Sequence, residues 1–252
     1  MPKFSDYHAQ IWQYAKDPGS STLNDNLLAS WPMLEIGTGD RSDFSPNEYH
    51  FTNDGGENAT GGGTRFEWYN TDYMYITNAE AAPLWGSATD AFSIALSFKV
   101  VSWPVTSGLL TPIIGMTNFT VPTRGWLVSV LPDTVSPARG ATFHTTTDGS
   151  NTLRIDGPIL SLNTWVHYVF RYDGSDYKLM VDGADSTPVA NASGFHRPTS
   201  LDLWVARYTN TGNNAIYGDV IVKNVSMWDK ALSDAEVDQW YNDGEPKLIP
   251  FI

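Results

Sequence analysis

The chain has 252 residues, 28 acidic against 15 basic, for a net charge of −13; hydrophobic residues make up 41% and charged residues 17%. This composition suits a sizeable core and excludes a charge-rich disordered chain. It also argues against a duplex-binding surface, which needs clustered Lys and Arg to displace counterions, and against attraction to anionic membranes.

There is no cysteine, hence no disulfide framework and no thiolate zinc site. No window approaches the roughly 20 apolar residues of a membrane span. The start, "MPKFSDYHAQ", lacks the apolar stretch of a secretory signal, so export by such a signal is not expected.

Residues 5–16, "SDYHAQIWQYAK", read as a helix capped by Ser5. Phe4, Tyr7, Ile11 and Trp12 share one side of it. "DPGSST" then breaks the pattern. Residues 1–21 are therefore expected to be an amphipathic arm outside the main domain, with its stripe as an assembly contact.

From Leu23 the period changes to two. In "FSIALSFKV", Phe92, Ile94, Leu96, Phe98 and Val100 alternate with Ser93, Ala95, Ser97 and Lys99, which predicts a strand with one buried face. "DYMYIT", "GWLVSVL", "ATFHTTT", "NTLRI" and "LDLWVARY" read as further strands, and "NDGGENATGGGT" as a long flexible loop. "TWVHYVFRYDGSDYKLMVDG" reads as a hairpin turning at "DGSD". Trp165, Trp204 and Trp228 are expected in the core, and Trp103 and Trp126 are candidates for exposure. The expectation is an all-β sandwich or barrel.

"VKNVSMWDKALSDAEVDQWYNDG" reads as a strand, a stop and one short helix. Ser233 and Glu236 have capping-box spacing, Leu232 and Val237 suit a hydrophobic staple, and Gly244 is the expected terminator. Val237, Trp240 and Tyr241 share the face that must bury. This segment resembles the C-terminal signature of the laminin-G-like branch of the concanavalin-A-like lectin/glucanase superfamily. "LLASWPMLEIGTGDRSDFSPN", "AFSIALSFKV", "WVHYVFRYDGSDYKLMVDG" and "LDLWVAR" resemble further family segments in the right order. The resemblance implies a concanavalin-A-like jelly-roll β-sandwich of two antiparallel sheets over residues 22–244, with a short C-terminal helix, the arm at 1–21 and a tail at 245–252. One departure stands out. Family members commonly carry an acidic residue in the final strand, where this chain has Lys223 and Asn224.

The resemblance also raises glycoside hydrolysis. Laminarinase-like members need carboxylates in an E-x-D-x-x-E strand, and none of the seven glutamates begins that pattern. No nucleophile elbow, H-E-x-x-H or phosphate loop is present. His167 is a candidate base or ligand, although a hydrogen-bonded sheet residue is the preferred reading. No cofactor or metal is expected, with calcium at Asp40 and Asp43 of "GDRSDF" as the alternative; Asp is also simply a good turn former. Tyr208, Asn210, Asn213, Asn214 and Tyr217 form the candidate ligand loop, with amide and aromatic groups suited to a glycan.

The expected function is a non-enzymatic binding or structural module of a larger extracellular assembly: a phage or virus virion protein, as a capsid decoration or fibre component. Its expected partners are other subunits and glycans. The alternatives are a free lectin-like protein and a divergent glycoside hydrolase.

Overall fold

Side chains in the period-two stretches can bury one face only if backbones pair laterally, and they do so as two antiparallel sheets. The computed structural model describes residues 22–34, 39–45, 47–55, 57–58, 62–67, 72–81, 84, 90–103, 110–117, 125–132, 135, 138–146, 152–185, 189–190, 201–210, 213–215, 218–244 and 246. A few of these, among them Tyr208–Asn210 and Asn213–Ala215, are described by backbone alone. The N-terminal arm, with Phe4, Tyr7, Ile11 and Trp12, and all of the tail except Pro246 lie outside the described residues.

In chain order the strands are β1 (Leu27–Trp31), β2 (Thr52–Asp54), β3 (Glu57–Asn58), β4 (Thr64–Phe66), β5 (Tyr73–Ile76) and β6 (Phe92–Val100). Then come β7 (Thr111–Met116), β8 (Trp126–Val130), β9 (Gly140–Thr146), β10 (Thr152–Ile159), β11 (Val166–Tyr172) and β12 (Asp176–Val181). The rest are β13 (Ala184–Asp185), β14 (Val189–Ala190), β15 (Leu203–Val205), β16 (Tyr208–Asn210), β17 (Asn213–Ala215) and β18 (Val220–Trp228). A 9-stranded sheet runs β13-β12-β11-β6-β18-β4-β3, with β1 added on β18 and β14 on β12. A 7-stranded sheet runs β10-β9-β8-β7-β15-β5-β2. β16 and β17 form a separate hairpin.

The core lies between the two sheets. Phe143 of β9 stacks on Phe170 of β11, with ring centres 3.5 Å apart, and so ties the sheets together. Trp126 stacks on Phe143 from its other side at 6.0 Å. Burial of aromatic area at this seam adds to the aliphatic burial that closes the sandwich. Tyr168 is completely buried there, and desolvation pushes its phenol well above the ordinary value.

The C-terminal helix, Asp234–Tyr241, packs on the outer face of the 9-stranded sheet. Its capping box is formed: Ser233 accepts from the Glu236 amide, and Glu236 reaches back to the cap amide. Leu232, Val237 and Trp240 bury against Ala95, Val169, Met180 and Trp228. The helix ends at Asn242, in the left-handed region at φ 45°, rather than at Gly244. Asn tolerates that conformation, and its amide donates back to the Asp238 carbonyl. Gly244, φ 90°, closes the following 3₁₀ turn instead.

Two other expectations change, and the calcium alternative meets a carboxylate that is already engaged. The glycine-rich stretch after Asn53 is not wholly a loop, because β3 pairs with β4. Gly63 is needed there, since a Cβ would lie 2.8 Å from the Val222 carbonyl oxygen. "LDLWVARY" is not one strand; it breaks at Ala206, where φ is 63°. Asp43 is not open to a cation. One carboxylate oxygen accepts from the Ser30 and Ser45 amides, at 2.8 Å each, and the other from Ser45 Oγ at 2.7 Å and the Tyr49 amide at 2.9 Å. Each oxygen has its full complement of donors, so Asp43 locks its own loop. Burial nonetheless raises its pKa against those hydrogen bonds. Asp40 accepts separately from the Asn53 amide. Among the described residues no three His, Cys, Asp or Glu side chains gather to hold a metal.

Candidate functional site

The outer face of the 7-stranded sheet carries the aromatic surface. In β5, Met74 and Ile76 point to the core, so Tyr73 and Tyr75 point outward. In β15, Leu203 and Val205 point in and Trp204 points out. Register puts Trp204 opposite both Tyr75 and Gly115. The three rings form a close triangle: Tyr73–Trp204 and Tyr75–Trp204 are each 5.4 Å apart, and Tyr73–Tyr75 is 6.1 Å. All three are half-buried. Trp204 is therefore not in the core, whereas Trp126 is fully buried and Trp165 only partly so.

Arg207 completes the cluster. Its guanidinium lies 4.1 Å from the Tyr73 ring centre and 4.4 Å from that of Trp204, against two rings inclined at 64° to each other. Strict alternation from Trp204 would send residue 207 toward the core. The left-handed turn at Ala206 resets the parity and brings the guanidinium onto the outer face. A left-handed alanine costs on the order of 1–2 kcal/mol. It is held by its amide, which donates to the Ile113 carbonyl at 2.9 Å.

The Tyr73 hydroxyl links two charges. Burial raises its pKa, and so does its hydrogen bond to Asp54, while Arg207 opposes both. Tyr73 remains a neutral phenol between a carboxylate and a guanidinium.

Farther across the same face, the row through Trp204 continues to Gly115, Leu127, His144 and Arg154. Burial drops the His144 pKa to about 4, with Arg154 adding to the effect, so this imidazole is neutral. Arg154 itself pairs with Asp156 at 2.8 Å. The acidic side chains set in the strands of this face, Asp54 and Asp156, stand on opposite edge strands, six strand intervals apart. At roughly 4.8 Å per interval they are on the order of 29 Å apart along the sheet, against the roughly 5–9.5 Å that a glycosidase pair requires.

The opposite face of the molecule holds a second cationic–aromatic contact. Lys99 and Lys223 place their ammonium groups 5.0 and 4.0 Å from the Trp165 ring centre. Lys223 thus stacks on an aromatic ring where family members carry acid. Nearby, His167 shares a 2.9 Å hydrogen bond with Ser97, the structural role expected of it.

The predicted ligand loop begins directly after Arg207. The backbones of Tyr208–Asn210 and Asn213–Ala215 pair as a hairpin. The side chains of Tyr208, Asn210, Asn213 and Asn214, and Tyr217 altogether, lie outside the described residues. The aromatic cluster of Tyr73, Tyr75, Trp204 and Arg207 was not among the candidate ligand residues; it precedes that hairpin in the chain. The available signal was the outward parity of "YMYI".

Two packed antiparallel sheets make a jelly-roll β-sandwich. A family model described as the concanavalin A-like lectin/glucanases superfamily matches residues 69–238, and the chain belongs to that family. No curated protein sequence matches. Among solved structures, the binding domain of Paraclostridial Mosquitocidal Protein 1 is similar, with a TM-score of 0.67 and 15% identity over 87% of this chain and 52% of that one. The binding domain of botulinum neurotoxin DC in complex with rat synaptotagmin II gives 0.65 and 11%, with the same coverages of 87% and 52%. That neurotoxin's binding domain in complex with SialylT gives 0.63 and 13%, again over 87% and 52%. At these identities the likeness establishes the fold. This chain spans about half the length of each of those domains.

Proposed function

We propose that this protein is a non-enzymatic binding module whose ligand is a saccharide held on the outer face of the 7-stranded sheet. The observation that carries this reading is the half-exposed triangle of Tyr73, Tyr75 and Trp204. Aromatic faces stack on the apolar face of a sugar ring, and adjacent polar groups then fix its orientation. Asp54 and Arg207 supply such groups. The similar binding domains, one in complex with SialylT, support the reading by analogy of fold alone. The wide separation of Asp54 and Asp156 favours binding over hydrolysis on this face.

The proposed setting is a larger extracellular assembly, a phage or virus particle on which the module is a decoration or fibre component. The apolar stripe of the arm and the "PKLIPFI" tail support docking onto other subunits.

A glycan array probed with the purified chain and with Trp204→Ala tests the saccharide reading. Binding that the substitution abolishes is the expected result. A blank array, or binding that survives the substitution, rejects this site.

A further inference from the structure

Arg207 has an unusual environment for a cation. It is only 6% exposed. Arg65, Arg154 and Arg171 each pair with at least one carboxylate. Arg207 pairs with none among the described residues, and its Nε has no hydrogen-bond partner. Two ring faces and the Tyr73 hydroxyl are what it contacts. Rings offset part of the cost of desolvating a guanidinium but do not engage its in-plane donors, of which the Tyr73 hydroxyl takes one and Nε is left without a partner. The rings around it are half-exposed, so the cation lies deeper than the surface on which a ligand would stack.

From this we infer that the ligand is an acidic saccharide, one bearing a carboxylate, whose carboxylate pairs with Arg207 while its ring stacks on Tyr75 and Trp204. This rests on the saccharide reading above and narrows it. The fixed fork of a guanidinium matches the geometry of a carboxylate and takes it through two parallel hydrogen bonds. The net charge of −13 does not oppose this at contact distance. Physiological salt screens exposed charges beyond about 8 Å, whereas a buried pair is screened far less. Asp54 is held one hydroxyl away, behind Tyr73, and so orients that ring without occupying the guanidinium.

The test is an array of paired glycans, each acidic member printed beside its methyl ester or its neutral parent. Calorimetry then compares the best pair in solution. The wild-type chain should favour the acidic member at least tenfold, and this comparison needs no variant. Arg207→Gln should reduce the preference below threefold, and Trp204→Ala should lose binding of both members of the pair. Equal binding of acidic and neutral partners, or a preference that survives Arg207→Gln, overturns the inference and leaves the saccharide reading standing. No binding of either kind overturns both.

Discussion

Ser233 and Glu236 close on each other at the start of the C-terminal helix. The Ser233 amide donates to Glu236 Oε2 at 2.8 Å, and the Glu236 amide donates to Ser233 Oγ at 3.2 Å. Lys230 Nζ, 2.7 Å from Glu236 Oε1, also donates to the Thr22 carbonyl. One carboxylate thus fastens the helix start, the end of β18 and the first turn of the described chain. Below, Arg171 grips the first turn through Asp234 at 2.6 Å and the Leu232 carbonyl at 3.0 Å. These contacts hold Trp240 against the sheet.

Trp240 is fully buried among Ala95, Val169, Met180 and Trp228. Trp240→Ala should cost about 3–5 kcal/mol, the range for truncating a buried large aromatic. Urea denaturation measures it. A change within error of zero would mean that the helix is peripheral to the fold.

Burial would raise the Glu236 carboxyl, but the hydrogen bonds from Lys230 and Ser233 pull it down to about 2 from an ordinary 4.5. A depressed carboxylate contributes stability that is present above pH 4.5 and lost as pH falls toward 2. Glu236→Gln should therefore cost about 2–3 kcal/mol at pH 7 and almost nothing near pH 2. An equal cost at both pH values would show that the charge is irrelevant.

His144 destabilises in the same direction, at a higher pH. Its folded pKa near 4 lies below the ordinary 6.5, so between those values the unfolded chain binds the extra proton. Stability should fall by roughly 2–3 kcal/mol as pH drops from 6.5 to 4. His144→Gln should remove that part of the slope, measured as melting temperature against pH. A slope unchanged by the substitution contradicts the burial of this imidazole.

The helix and the strand alternation were legible in the sequence because both are local. A capping box needs four residues, and "FSIALSFKV" shows its core-facing side by itself, although the expected open side is buried too, with Ala95 under the C-terminal helix and Ser93 and Ser97 fully covered. The aromatic site was not legible. Whether Trp204 points in or out depends on its pairing with Tyr75 and Gly115, about 129 and 89 positions away (204 − 75 and 204 − 115). The side of Arg207 depends on a left-handed alanine that no composition rule predicts. The misreading of Trp126 has the same cause: a tryptophan in a strand buries equally well on either parity until its partners are known. Gly244 is the expected terminator because glycine is the commonest one, whereas the helix stops at Asn242, whose backbone amide reaches the Asp238 carbonyl.

The N-terminal arm leads to a separate prediction. Phe4, Tyr7, Ile11 and Trp12 make an apolar stripe on a segment too short to be a stable helix in isolation. If it docks on a neighbouring subunit of the proposed assembly, deleting residues 2–17 should leave the melting temperature of the isolated sandwich nearly unchanged and abolish incorporation into that assembly. A truncated monomer that melts well below the full chain would place the arm in the domain's own core.

The central claim is that ligand sits on the outer face of the 7-stranded sheet. Chemical-shift mapping during titration with the strongest glycan from the array locates it without any substitution. The account predicts that the largest shifts fall on Tyr73, Tyr75, Trp204 and Arg207. Shifts gathered instead around Lys99, Trp165 and Lys223 on the opposite sheet would contradict it.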